Sequence, residues 1–299
     1  MRYINIFLTY NRPTIASTSL NTLLMNTNLK PEEMWIIDDG SSADMQRSLL
    51  DFSHKYSMNF PINLMLSGKN YGIGYSFERA YNVMRQCDAD IVCFVESDYV
   101  WRKGWMEDVS AVFEASPWTV AIAGCCHPDM FDRKKTHGEF CKLMIDQFSE
   151  DLDSRPNLYQ HFDLPTTRGG IKVQGVSNSC GCQIVHWGRL RKLLGELDLE
   201  NAYWQWMDRA FHKNGTGDRR YASDAHFSGT LSKFAENWMK ENNIDITRNF
   251  GFLDICDYSI SEHYCGGGIN GLIVPECTTF VHSPKWTDEY LKKDPRKLA

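Results

Sequence analysis

No apolar run in these 299 residues approaches the length of about 20 that a helix needs to cross a bilayer. The opening MRYINIFLTYN has one arginine and too short an apolar stretch for a secretory signal. There are ten cysteines but no paired C-x-x-C spacing. Without a secretory signal, a disulfide framework is not expected in a chain of this size. Cys125-Cys126-His127 and Cys180/Cys182/His186 lack the second matching pair that would make them a zinc set. Excess positive charge is missing too. The 32 Lys and Arg against 38 Asp and Glu leave a net charge of −6, which argues against a general nucleic-acid binder. RLRK (Arg189–Lys192) and KKDPRK (Lys292–Lys297) read as solvated helix faces, and RLRK alone keeps a nucleic-acid partner possible, though not favoured. Internal repeats and low-complexity segments are also absent. These gaps predict a soluble protein of a reducing compartment with no transmembrane segment. That compartment is the cytoplasm, or the host-cell cytoplasm for a viral chain.

What is present is globular: 42% hydrophobic, 13% aromatic and 23% charged residues, enough for one large domain or two closely fused halves. Short apolar runs at Ile4–Leu8, Glu33–Ile37, Ile62–Leu66 and Ile91–Val95 lack alternation, as strands buried on both faces do. Between them, helices are expected over Thr14 to about Asn26, Ala43 to about Tyr56, and from the GKNYGIG loop to about Gln86. A further helix, from about Gly104 to Ala115, and a strand, Thr119–Ala123, complete this half. The β-α-β-α-β-α-β order predicts an α/β fold with a mostly parallel sheet and helices on both faces. Residues 125–172 read as a loop-rich, substrate-facing insertion. Gly175–Val185 reads as a strand region, Trp187–Leu194 and Asn201–Asn214 as helices, Asp224 to about Glu241 as another helix, and Leu272–His282 as a strand pair. The expected division is 1–124 as a ligand-binding half and 125–299 as a second half within one continuous domain.

Each predicted strand ends in polar or glycine-rich residues: TYNRP, DDGSS, SGKNYGIG and ESD. Open α/β sheets bind ligands beyond the carboxyl ends of their strands. Glu96-Ser97-Asp98 places two carboxylates one residue apart at such an end. A hard divalent cation held by one or two carboxylates and by substrate phosphates needs that arrangement. GKNYGIG resembles a phosphate cradle but matches neither the Walker pattern nor the dinucleotide fingerprint.

Taken in sequence, FLTYNRP, WIIDDGSS, NYGIG and ESD resemble the family-2 glycosyltransferases of the GT-A fold. The resemblance is close from Ile4 to about Gly124 and loose beyond. It implies a nucleotide pocket lined by Thr9 and Tyr10, with Arg12 close by. Asp39 would accept a hydrogen bond from the base; a carboxylate only accepts, which suits the imide N–H of uracil. Asn70 and Gly72 would lie near the nucleotide, the glycine allowing close backbone approach. Glu96 and Asp98 stand where the family carries its D-x-D element, the first near the ribose and the second on the metal, Mn2+ or Mg2+. Glutamate in place of the usual first aspartate is a departure that leaves its role open.

The resemblance also implies a catalytic base at a helix start in the second half. Asp224, opening a striped helix (Phe227, Leu231, Phe234, Trp238), is the first choice and Asp208 in WQWMDR the second. His282 would be a late metal ligand. Trp187, Trp204 and Trp206 suit an acceptor site by type, although core packing accounts for each. The expected reaction is metal-dependent, inverting transfer of a sugar from a UDP-sugar to a hydroxyl of a glycan. Three alternatives stay open: transfer to a modified DNA base as in viral relatives, nucleotidyl transfer, and a non-catalytic nucleotide-sugar-binding module.

Overall fold

A computed structural model describes residues 1–124, 161–176, 182–192, 235–246, 249–255 and 261–263. The first half follows the predicted rhythm: β1 (Tyr3–Thr9), α1 (Pro13–Met25), β2 (Glu33–Asp38), α2 (Ala43–Tyr56), β3 (Ile62–Leu66), α3 (Ile73–Gln86) and β4 (Ile91–Glu96). Then come β5 (Tyr99–Trp101), α4 (Trp105–Ala115), β6 (Ala121–Ala123), β7 (His161–Thr166), β8 (Gly169–Gly175), β9 (Gln183–Val185), β10 (Phe252–Ile255) and β11 (Ser261–His263).

Nine strands form one sheet in the order β3-β2-β1-β4-β9-β6-β10-β8-β7, and β5 pairs antiparallel with β11 in a second. Following the pairings, seven of the nine run the same way, with β9 and β8 reversed. This is a mixed α/β fold of GT-A type. The chain steps outward from β1 to β2 to β3, then crosses back to lay β4 on the other side of β1. The switch in direction therefore falls between β1 and β4, where such sheets open a crevice for ligands. Register makes the rim level: Leu8 lies opposite Glu96, Thr9 opposite Asp38, and Asp38 opposite Leu66.

Period-2 alternation divides the core into two layers. Tyr3 and Phe7 of β1, with Ile91, Cys93 and Val95 of β4, face Leu20 and Leu23 of α1, Leu49 of α2 and Trp105 and Val109 of α4. Ile4, Ile6 and Leu8, with Val92 and Phe94, face Phe77, Ala80 and Met84 of α3 and Trp187 and Leu190 of a helical stretch that begins at Trp187. Trp187 is thus a core residue, as packing alone would have it. Pro13 sits in the first turn of α1, where its missing N–H costs nothing.

The structure departs from the sequence reading at several points. Residues 161–172, expected as loop, belong to the hairpin β7–β8, which extends the sheet beyond β10. Gly175–Val185 is not one strand region: β8 ends at Gly175 and β9 begins at Gln183. RLRK is not a solvated face at its arginines. Arg189 donates to the carbonyls of Phe113, Ser116 (2.7 Å) and Thr119 (2.8 Å), at and beyond the C-terminal end of α4. Arg191 donates to the carbonyls of Cys87 and Ala89 (3.3 Å each), just past α3. Both guanidiniums face the negative ends of helix dipoles.

Candidate active site at the strand rim

The four strand ends are laced together by side chains that the turns themselves supply. After β1, Asn11 takes a left-handed conformation (φ 46°) that asparagine tolerates. Its N–H donates to Ser41 Oγ (2.8 Å), and its Oδ1 accepts from Ser42 N (2.7 Å). Asp38 and Asp39 divide their work. Asp38 accepts from Ser41 N (3.0 Å), the Ser41 hydroxyl and Gln46 Nε2 (2.8 Å), and so closes its own turn. Asp39 reaches across to the loop after β3, its Oδ1 accepting from Tyr71 N (2.9 Å) and its Oδ2 from Gly72 N (2.7 Å). Between them, Gly40 (φ +77°) passes so close to that loop that a Cβ would lie 2.1 Å from the Lys69 carbonyl carbon and 2.5 Å from Asn70 N. Only glycine serves there.

These loops wall a cavity of about 290 Å³. Its lining comes from every strand end: Leu8, Thr9, Tyr10 and Arg12 after β1, Asp39 after β2, Asn70 after β3, Ser76 on α3, and Glu96, Ser97 and Asp98 after β4. Seven of the sequence candidates therefore meet in one place: Thr9, Tyr10, Arg12, Asp39, Asn70, Glu96 and Asp98. Gly72 stands just behind them, capping α3 with φ 94° and giving its N–H to Asp39. Asp208, Asp224, His282, Trp204 and Trp206 lie outside the described residues, as does the start of the helix predicted from Asp224. Ser76 and Ser97 were not singled out in the sequence. Ser97 lies between the two acids and could have been named with them. Ser76 follows Gly72 by four residues, one helical turn into α3, a spacing that would have found it.

Electrostatically the wall is acidic. Three carboxylates (Asp39, Glu96, Asp98) face one guanidinium (Arg12), a formal charge of −2. Asp39 and Asp98 are buried and Glu96 is half-buried. Arg12 Nη1 donates to Asp98 Oδ2 across the gap between β1 and β4. Thr9 Oγ1 is buried with no hydrogen-bond partner among the described residues. Behind the acidic turn, Glu96 N donates to Cys182 Sγ (3.3 Å) and Gly124 N to the Cys182 carbonyl (2.7 Å), so β9 supports the strand that carries the acids. Cys87, Cys93 and Cys182 are free thiols, and burial pushes the Cys93 thiol up.

Two carboxylates one residue apart suit Mg2+ or Mn2+, which keep several waters and take the rest of their shell from substrate phosphates. Among the described residues no three His, Cys, Asp or Glu side chains gather as a closed metal cage. The donor set thus fits an ion completed by water and substrate, with Asp98 and Glu96 as the protein's share.

The family model for glycosyl transferase family 2 matches residues 6–172, more than half of the chain. The chain belongs to that family. It is a family-2 glycosyltransferase, and a nucleotidyltransferase reading falls with that membership. No curated protein sequence matches it. Similar solved structures include the S. aureus protein TarS 1–349 in complex with UDP-GlcNAc, at 23% identity and TM-score 0.34, covering 41% of this chain and 34% of that one. The mannosyltransferase PcManGT from Pyrobaculum calidifontis, with GDP-Man and Mn2+, aligns at 14% identity and TM-score 0.45, over 78% of this chain and 51% of that one. Mouse xyloside xylosyltransferase 1 aligns at 10% identity and TM-score 0.41, over 86% and 97%. This family-2 chain therefore spans about a third of TarS 1–349 and half of PcManGT. No helix among its described residues is long and apolar enough to cross a membrane.

Proposed function

We propose that this glycosyltransferase moves a sugar from a UDP-sugar to an acceptor hydroxyl on a glycan, with inversion and with Mn2+ or Mg2+. One observation carries the metal dependence: the cavity at the β1/β4 switch has a formal charge of −2, which repels a diphosphate unless a cation accompanies it. A divalent ion would supply Lewis-acid stabilisation of charge on the departing diphosphate. Asp98 and Glu96 would hold it, with Glu96 also within reach of the ribose end of the donor. Asp39 keeps acceptor capacity beyond its two backbone bonds, since an ionised carboxylate offers about four lone-pair sites. That capacity supports a base with an imide N–H, uracil before guanine. Thr9, Tyr10, Asn70 and Gly72 complete the nucleotide wall.

Inversion requires a base that takes the acceptor proton from the face opposite the leaving group. Asp224 is our first choice and Asp208 our second, and His282 is proposed as an additional metal ligand. The donor half is assigned to residues 1–124 and the acceptor and base half to 125–299. Free thiols at Cys87, Cys93 and Cys182 support a cytoplasmic setting. A DNA acceptor loses its support, because the RLRK arginines are engaged with helix ends.

A panel of nucleotide sugars with Mn2+ in a thermal-shift screen, followed by donor-hydrolysis assays, tests the reading. UDP-sugars should stabilise the protein and release UDP, and Asp98→Ala should abolish release while the fold survives. Stabilisation by GDP-sugars alone would overturn the base assignment, and an unchanged rate in Asp98→Ala the metal assignment.

A further inference from the structure

We propose that Arg12 is the resident counter-ion of Asp98: it holds the carboxylate when no cation is bound, and yields it when one arrives. The inference rests on Asp98 as a metal ligand, as proposed above. Arg12 Nη1 and Asp98 Oδ2 form an ion pair that spans the switch point, and their side chains are only 29% and 7% exposed. A carboxylate this buried needs a partner charge, and Arg12 is the only guanidinium or ammonium among the described residues lining the cavity. A divalent ion on Asp98 competes for the same oxygen and repels the guanidinium beside it.

The exchange is confined to a side chain. The Arg12 backbone is pinned, with its carbonyl accepting Ala16 N (2.8 Å) at the head of α1 and Pro13 fixing the next φ. A displaced Arg12 still lines the cavity, where its planar fork matches phosphate oxygens. Two consequences follow, and they have opposite signs. Without nucleotide, Arg12 weakens metal binding, because the ion must evict it. With nucleotide, Arg12 strengthens the complex, because the diphosphate gives the evicted guanidinium a partner. Metal and donor are thereby coupled through one residue, and couplings of this kind typically reach about 5- to 150-fold.

The test is a Mn2+ titration of the nucleotide-free protein, followed by the paramagnetic resonance signal of free Mn2+. It compares wild type, R12Q, R12M, D98N and R12Q/D98N, with circular dichroism to establish folding. UDP is then titrated calorimetrically at saturating Mn2+. R12Q and R12M should bind Mn2+ about fivefold or more tightly than wild type, and should bind UDP about tenfold or more weakly in its presence. D98N should lose Mn2+ binding with or without Arg12. A merely structural role for Arg12 cannot tighten one ligand and loosen the other. Equal or weaker Mn2+ binding in both Arg12 variants overturns the proposal, as does the absence of Mn2+ binding from every protein tested. If UDP-sugars bind the wild type in either of those cases, the glycosyl-transfer reading stands without this inference. Tighter Mn2+ binding in the Arg12 variants, with no nucleotide sugar bound by wild type, keeps the ion-pair exchange and overturns the donor assignment instead.

Discussion

Asp39→Asn should loosen the loop after β3 before it affects anything else. Each carboxylate oxygen of Asp39 accepts one backbone N–H, from Tyr71 at 2.9 Å and Gly72 at 2.7 Å, and the residue is only 3% exposed. Asparagine keeps one acceptor oxygen and turns an NH2 toward the other amide. The loss is one charge-assisted hydrogen bond, about 1.5–3 kcal/mol, plus a part-buried N–H facing another donor, about 1–3 kcal/mol. Together these come to about 3–5 kcal/mol. For a chain somewhat larger than 250 residues, 1 kcal/mol corresponds to about 2 °C in Tm, so the transition should fall by about 6–10 °C. Differential scanning calorimetry measures that shift. Amide hydrogen exchange localises it, because Tyr71 and Gly72 should lose protection while β1 and β4 keep theirs. A Tm within about 2 °C of wild type, with both amides still protected, would refute the claim that Asp39 tethers this loop.

Two other expectations concern the same scaffold. Gly40→Ala adds a Cβ at φ +77° with Lys69 backbone atoms 2.1 and 2.4 Å away, so the loop must shift. Strain of about 1–2 kcal/mol for a left-handed residue is then the smaller part of the cost, and UDP binding measured by calorimetry should drop together with Tm. His186 is depressed to about 4, first by burial and then by the neighbouring Arg189. Its folded form is neutral while the unfolded chain takes up a proton near pH 6.5. Its contribution is therefore intact above about pH 6.5 and is lost as pH falls toward 4. Tm measured from pH 7.5 to 4.5 should decline more steeply in wild type than in His186→Gln, and parallel curves would contradict the assignment.

The donor side was legible because its signals are local. Ile91–Val95 is apolar without alternation, and the structure buries every one of those residues between two layers. TYNRP, DDGSS, NYGIG and ESD each follow such a strand directly, so their convergence could be read from element order alone. Elements whose partners lie far away in the chain were not legible. Tyr99–Trp101 is three residues long, and its pairing partner begins at Ser261. β7 contains Pro165, which argues against a strand unless it lies at a sheet edge, and an edge is where β7 lies. Arg189 and Arg191 look like a basic surface until the carbonyls they cap, some seventy to a hundred residues earlier, are brought beside them. Within DDGSS, sequence could not assign the two acids: Asp38 closes its own turn and Asp39 crosses to the next loop, a division that depends on where Tyr71 comes to rest.

The place of β9 has a consequence in time. β4 carries Glu96 at its end, but its second edge is covered by Gln183–Val185, which also flank β6. On a ribosome adding about 5–20 residues per second, β4 is complete roughly 5–20 s before the strand that covers it has been made. Through that interval the strand bearing the acidic turn presents an open, apolar edge to the cell, the kind of edge that recruits other strands. Chaperone demand during synthesis should therefore peak between residues 96 and 185, and a ribosome stalled in that window should yield aggregate rather than a partial donor site.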